Sequence, residues 1–190
     1  MEIDLDHSIE DLLNYIESND YAGYDPYDGL QSPLFKLPVL KSNKKIRFIS
    51  QQLVKRSPIN LRKLLRIKPG ENPVTLGLCI QSYCYLIQSY PEKSADYLLK
   101  IDRLIDRLET LKSTPYSGAC WGYEFDWEAR YATIPAFTPT VVATGIISNA
   151  LFECWKLTKN ERCAALVISS AKFVLQDLNR HYEGSNFCFS

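Results

Sequence analysis

The fold is decided by residues 75–111, TLGLCIQSYCYLIQSYPEKSADYLLKIDRLIDRLETL. Apolar residues recur every three or four positions, which is the spacing of one face of an α-helix. Residues 75–89 carry no charge, whereas residues 94–111 carry acidic and basic groups. A helix that is apolar almost all round is buried, and a helix with a charged face meets solvent. The stretch therefore predicts an inner helix followed by an outer helix.

The same alternation returns further along the chain, in residues 140–157 and 161–182. The first of these segments is apolar on most faces, and its Gly145 and Ala150 allow close contact between helices. The second has a single polar stripe. Two such hairpins imply layers of inner and outer helices, and no run of residues alternates as a central strand does. We therefore expect an all-α fold in which only the tail, residues 186–190, is extended.

Shorter helices are expected before these hairpins, at residues 8–18, 46–55 and 60–67. Ser8 has the position of a helix cap, because acidic residues follow it in the first turn. Residues 19–45 contain repeated glycines and prolines that break the helical period. They predict a long turn-rich segment.

The composition is that of one globular domain over residues 1–190, with 46% hydrophobic residues and zero formal net charge. The charge is nevertheless divided: every charged residue in 1–28 is acidic, and every one in 29–70 is basic. Two solvated faces of opposite sign account for this division. The alternative is a basic surface for an anionic sugar, a phosphate or a lipid headgroup. No nucleic-acid-binding motif accompanies the charge, so we expect no nucleic-acid partner.

The six cysteines form no Cys-x-x-Cys pair, and His7 and His181 are the two histidines. This spacing predicts neither a zinc site nor a disulfide framework, and we expect no metal and no cofactor. Thiols within apolar helices fit a reducing compartment, and the acidic first residues lack an apolar signal core, so we expect a cytoplasmic location. Polar residues within the uncharged stretches 73–91 and 131–152 argue against a membrane span.

The first candidate site is residues 120–130, CWGYEFDWEAR, a loop ahead of an apolar helix. Loops of this kind often line sites, because a rigid scaffold holds them at the surface. Three rings in the loop offer flat apolar faces that suit a sugar: Trp121, Tyr123 and Trp127. Asp126 is the candidate general acid or base, and Arg130 the candidate for binding an anionic group. The alternative is an aromatic lid over helix ends, with Asp126 and Arg130 as a local ion pair.

The second candidate site is residues 24–29, YDPYDG, within the turn-rich segment. Asp-Pro and Asp-Gly form turns, because the carboxylate accepts hydrogen bonds from nearby backbone N–H groups. One interpretation is two tight turns with their tyrosines packed inward. In the other, Asp25 or Asp28 faces a ligand, and Tyr24 and Tyr27 stack on it.

Five short motifs occur together in the chain: YDPYDGL at residues 24–30, CWGY at 120–123, FDW at 125–127, PT at 139–140 and CFS at 188–190. In this order they resemble a poorly characterised bacterial α/α-toroid family. That family is found near polysaccharide-biosynthesis functions and is similar to six-hairpin glycosidases and terpenoid-cyclase-like toroids. The resemblance implies that the chain is the N-terminal half of a toroid and that further hairpins follow Ser190 in the family. Some members are labelled delta-aminolevulinic acid dehydratase, which is a β/α barrel, and the required strand alternation is missing here.

The resemblance implies a carbohydrate-related protein of surface-polysaccharide metabolism that binds or processes a glycan. An enzyme of this kind would be a hydrolase, a lyase or epimerase-like, with paired carboxylates about 5 to 10 Å apart for glycosidic chemistry. One alternative is a non-catalytic interaction module, or a truncated relic, whose half-toroid face is covered by self-association or by a partner protein. Another is an isoprenoid-handling toroid, although the expected Asp-rich metal motif is missing.

Overall fold

The structure is a computed structural model that describes residues 4–184 and 186–189. Within these residues the chain forms seven α-helices: α1 Leu5–Ser18, α2 Pro38–Ser42, α3 Lys44–Arg56, α4 Pro73–Ser89, α5 Ser94–Thr110, α6 Val141–Thr158 and α7 Glu161–Gln176. Short 3₁₀ turns lie at Asp28–Gln31, Pro33–Lys36 and Pro91–Lys93. Two antiparallel pairs of strands complete the described structure: β1 Trp127–Glu128 with β2 Thr133–Ile134, and β3 Arg180–Glu183 with β4 Asn186–Phe189. The predicted all-α class is confirmed.

The chain divides into two compact units. The first unit is Met1–Asn72 with Glu124–Pro135, and the second unit is Pro73–Tyr123 with Ala136–Ser190. Two compact units can belong to one domain, so the single domain over residues 1–190 stays a prediction.

The second unit is built on the contact between the two uncharged helices. α4 packs against α5 and α6, and α6 also packs against α7. Leu76 and Ile80 of α4 and Ile147 of α6 are fully buried. Gly77 allows the close approach, because a Cβ at this position would lie 3.2 Å from Cγ1 of Ile147. The inner and outer roles predicted from the charge pattern therefore agree with the observed packing.

The first unit is organised around α3. Its N-terminus is capped by Asn43, and its inner face buries Arg47, Gln51 and Val54. This face packs against the 3₁₀ turn Asp28–Gln31 and against β1. Gly29 lets the turn approach closely, because an added Cβ would lie 3.2 Å from Cα of Gln51. α3 therefore contacts residues of both candidate site segments, 24–29 and 120–130.

Two of the predicted helices are wrong in part. Residues 60–67 form a single turn instead of a helix, because Arg66 adopts a left-handed φ of 55° and the Ile67 N–H donates to the carbonyl of Arg62 at 2.9 Å. α7 ends at Gln176, whereas the sequence predicted a helix to residue 182. The chain then turns back into β3 and β4, so the predicted extended tail is found at Asn186–Phe189. The expectation that only this tail is extended is wrong, because β1, β2 and β3 are strands as well. Ser190 lies outside the described residues.

The start of α1 also differs from the prediction. Asp4 is the cap, and its side chain accepts a hydrogen bond from the His7 N–H at 3.1 Å. Ser8 lies within the first turn, where its hydroxyl donates to the Asp4 carbonyl at 2.9 Å. The helix therefore begins one turn earlier than expected, which brings Leu5 onto its apolar face.

Candidate functional site

A buried arginine lies at the centre of the candidate site in the first unit. Arg47 has a side chain that is 7% exposed, and its Nε donates to Oε2 of Glu128 at 3.0 Å. Its Nη2 donates to Oδ2 of Asp126, also at 3.0 Å. Burial alone lowers the pKa of Arg47, but the hydrogen bonds and charges of the two carboxylates outweigh this effect and raise the pKa. Arg47 is therefore a permanent positive charge that bridges two carboxylates.

Glu128 is the more deeply buried of these carboxylates, with a side chain that is 1% exposed. Thr133 donates its hydroxyl to Oε1 of Glu128 at 2.6 Å, and Nζ of Lys44 lies 3.7 Å from the same oxygen. The backbone N–H of Glu128 donates to Oε1 of Gln51 at 3.0 Å. These contacts fix β1 and its neighbouring loop on α3.

Asp126 is the more exposed carboxylate, with 39% of its side chain accessible. Its partner in the ion pair is Arg47, a residue of α3 that lies far away in sequence. Arg130, with which the sequence suggested a local pair, is exposed. The ion pair with α3 therefore holds Asp126 in place, while part of its side chain stays exposed.

Tyr27 and Trp127, the residue after Asp126, form an aromatic pair. Their ring centroids are 5.6 Å apart, and the rings are tilted by 57°. Both side chains are half-buried. Lys55 donates a hydrogen bond to the Tyr27 hydroxyl, and its Nζ lies 3.9 Å from the ring centroid. The structure thus brings two of the predicted stacking residues together, one from each candidate segment.

Asp28 is buried in an ion pair with Arg62. Nε of Arg62 lies 2.8 Å from Oδ2 and 3.0 Å from Oδ1 of the carboxylate. Burial raises the pKa of Asp28 above its usual value, and the hydrogen bond and charge of Arg62 reverse only part of this rise. Asp28 therefore holds the turn in place, and in this arrangement it accepts from protein donors.

Asp25 also has a structural role in the turn. Its Oδ1 accepts from the Tyr27 N–H at 2.8 Å, as expected for an Asp-Pro turn, and Nδ2 of Asn72 lies 3.3 Å from Oδ2. Tyr24 is exposed, and the guanidinium of Arg62 lies 5.3 Å from its ring centroid. The interpretation with both tyrosines packed inward is therefore wrong for Tyr24, which is exposed, while Tyr27 is half-buried.

Two other predicted ligand contacts, Trp121 and Tyr123, belong to the second unit. Trp121 is fully buried, and its Nε1 donates to the carbonyl of Leu108 at 2.8 Å. Tyr123 is half-buried, and its carbonyl accepts from the Phe137 N–H at 2.6 Å. In this conformation the ring of Trp121 is a core group with no accessible face.

The sequence did not single out Arg47, Glu128 or Glu124. Glu128 lies two residues after Asp126, and alternate residues of an extended segment share a face, which is the signal that could have found it. Glu124 accepts from Nε2 of Gln31 at 3.1 Å. It also lies against Gly70, where an added Cβ would be 1.3 Å from Oε1 of Glu124. No local pattern in the sequence indicates this contact.

Among the described residues, no group of three or more His, Cys, Asp or Glu side chains is arranged to hold a metal ion. Nor does any helix in this part of the chain have the length and apolarity to cross a membrane. Comparison with protein-family models, with curated proteins and with solved structures finds no match to this chain.

Proposed function

We propose that the first unit binds a saccharide on the surface formed by Tyr27, Trp127 and Asp126, hereafter the aromatic shelf. The observation that carries this proposal is the tilted pair of half-buried rings, together with the partly exposed side chain of Asp126, the residue before Trp127. Sugar rings present apolar C–H faces that pack on aromatic rings. Their hydroxyl groups donate to carboxylates in charge-assisted hydrogen bonds. The aromatic shelf contains groups for both kinds of contact.

Binding is supported better than catalysis. Glycosidic chemistry needs one carboxylic acid that gives up a proton and a second carboxylate that acts as base or nucleophile. Here Asp126 and Glu128 both accept from Arg47, and Asp28 accepts from Arg62. A guanidinium partner suits a carboxylate that accepts hydrogen bonds rather than one that supplies a proton. Asp126 is therefore assigned to ligand binding instead of the general acid or base role that the sequence suggested.

The setting of this unit in an α/α toroid of surface-polysaccharide metabolism is also our proposal. It is supported by the motifs in residues 24–30 and 120–127 and by the packing of α4 on α6 with α5 and α7 beside them.

A cytoplasmic location is supported by the free, buried thiols of the described cysteines, which fit a reducing compartment: Cys79, Cys84, Cys120, Cys154 and Cys163.

The test is isothermal titration calorimetry of the full chain with a panel of neutral, amino-sugar and uronic-acid oligosaccharides. We expect at least one class to bind and Trp127→Ala to weaken that binding at least about tenfold. Trp155→Ala is the matched control, because it removes a half-buried tryptophan from α6 in the second unit and should leave the affinity unchanged. Failure of the whole panel to bind, or equal losses in the two variants, would overturn the proposal.

Catalysis is tested on the same panel. The binding proposal predicts no new reducing ends after long incubation, and Asp126→Asn should lower affinity. Turnover of a bound oligosaccharide that Asp126→Asn abolishes would show instead that Asp126 is a catalytic residue.

A second candidate function is an interaction module. Apolar side chains along the second unit are exposed to solvent, among them Leu99 of α5, Val142 of α6 and Ile168 of α7, which are 64%, 64% and 62% exposed. Exposed apolar residues on neighbouring helices are a feature of protein interaction surfaces. Failure of the oligosaccharide panel together with a defined complex through these residues would favour this candidate.

A further inference from the structure

α1 is an amphipathic helix whose apolar face is only partly covered, since Ile9, Leu13 and Ile16 are half-buried. All of its residues are described, and none is buried. Its apolar residues share one face at helical spacing: Leu5, Ile9, Leu12, Leu13 and Ile16. Leu5 and Leu12 are 66% and 58% exposed. An isolated helix of this length is marginal in water, so a partner for the apolar face would stabilise it.

An open apolar groove lies elsewhere in the same unit. Its cavity of about 470 Å³ is lined by residues of the 3₁₀ turn Pro33–Lys36 and of the turn near residue 65: Pro33, Leu34, Leu37, Leu64, Leu65 and Arg66. Leu64 is 80% exposed. The Ser32 hydroxyl donates to the Leu65 carbonyl at 2.8 Å and ties the two walls together. The groove is therefore preformed, and its volume is within the roughly 300 to 1,000 Å³ of small-ligand pockets.

The helix and the groove carry opposite charges. The acidic residues of α1 are Asp6, Glu10, Asp11 and Glu17, and it has no lysine or arginine. Exposed basic residues accompany the groove in sequence: Lys36, Lys63, Arg66 and Lys68. An acidic helix with an apolar stripe suits an apolar groove that is lined by Arg66 and whose wall segments carry the other basic residues, because complementary charges select the partner and set its orientation.

We propose that α1 of one copy docks its apolar face in the groove of a second copy, which returns its own α1 to the first. The exchange is isologous, so both contacts form in one closed dimer. Leu12 is the central apolar contact of the helix, and Leu64 is the exposed wall of the groove. This interface uses none of the residues of the aromatic shelf, so it stands whether or not the shelf binds a saccharide.

The test is the mass of the full chain by sedimentation velocity over a wide range of concentration, at low and at high salt. We expect a dimer that weakens with salt, because the opposing charges are exposed. Leu12→Gln and Leu64→Gln should each raise the dissociation constant at least about tenfold. Leu99→Gln, which makes the same change at an exposed leucine of α5, should leave it unaltered. Circular dichroism checks that each variant keeps its helices.

Mixing the two variants distinguishes this arrangement from others. Leu12→Gln keeps an intact groove and Leu64→Gln keeps an intact helix, so a mixed dimer has one contact free of substitutions. This heterodimer should form more tightly than either variant's own dimer and more weakly than the dimer of the unmodified chain. A monomer at every concentration of the unmodified chain would overturn the proposal. So would a Leu64→Gln variant that dimerises normally while Leu12→Gln does not, which is the outcome expected if α1 packs against α1.

Discussion

Replacing Arg47 with methionine should destabilise the first unit strongly, because it leaves Glu128 buried without its main ion-pair partner. Methionine keeps much of the apolar volume of the arginine stem, so the loss is chiefly electrostatic. Breaking a buried ion pair by removing one partner costs about 3 to 5 kcal/mol. Thr133 and Lys44 still contact Glu128, which favours the lower end, about 3 kcal/mol.

A second substitution tests this cause. Glu128→Gln in the Arg47→Met background removes the stranded charge, and we expect it to recover about 1 to 2 kcal/mol of the loss. Arg130→Met is the matched control, because Arg130 is exposed, and its effect should stay within about 0.5 kcal/mol.

The assay is urea unfolding followed by far-ultraviolet circular dichroism, with the unfolding free energy obtained by linear extrapolation. A loss below about 1 kcal/mol in Arg47→Met would refute the reasoning, since surface ion pairs contribute at most that much. A double variant no more stable than Arg47→Met alone would show that the stranded charge of Glu128 is not the cause.

Three further predictions follow from local contacts. Gly70→Ala should lower the unfolding free energy in urea by about 1 kcal/mol, because the new Cβ displaces Glu124. Adding Glu124→Ala should restore this stability, and a double variant no more stable than Gly70→Ala would contradict the clash as the cause. Asp28 has a raised pKa in the folded protein, so the stability it contributes is greatest in acid and falls as pH rises. The unfolding free energy of the unmodified chain minus that of Asp28→Asn should therefore decrease between about pH 4 and pH 7, and an increase would contradict this sign. Burial raises the pKa of Cys79 to about 11 and that of Cys120 to about 12. Their alkylation by iodoacetamide at neutral pH, followed by mass spectrometry, should therefore be at least about a hundredfold slower in the folded chain than in urea. Equal rates would show that these thiols are accessible.

The helical hairpins could be predicted because their signal is local. The contrast between uncharged residues 75–89 and charged residues 94–111 reports directly which helix is covered, and α4 and α5 follow it closely. The prediction was wrong for residues 60–67, where one left-handed residue, Arg66, closes the turn. Arginine has no marked preference for the left-handed conformation, so nothing in the sequence opposed the helix that the apolar spacing of residues 60–67 predicted.

The candidate site could be predicted only in part. The sequence named Tyr27 and Trp127 as ligand-binding residues and Asp126 as a candidate general acid or base, and the structure places all three in one unit. It could not show that Arg47 joins Asp126 to Glu128, because contacts between distant segments leave no local pattern. The sequence also could not distinguish which rings of residues 120–130 lie in the core, because the fully buried Trp121 and the half-buried Trp127 belong to the same loop.

The proposed aromatic shelf is tested most directly by the indole N–H signals of the ¹⁵N-labelled full chain during titration with the oligosaccharide panel. The signal of Trp127 should shift in a saturable way with the oligosaccharide that binds. The signal of Trp121 should remain in place, because its Nε1 is buried and bonded to the Leu108 carbonyl at 2.8 Å. No shift at Trp127 with any oligosaccharide, or a shift at Trp121 alone, would contradict saccharide binding on the aromatic shelf.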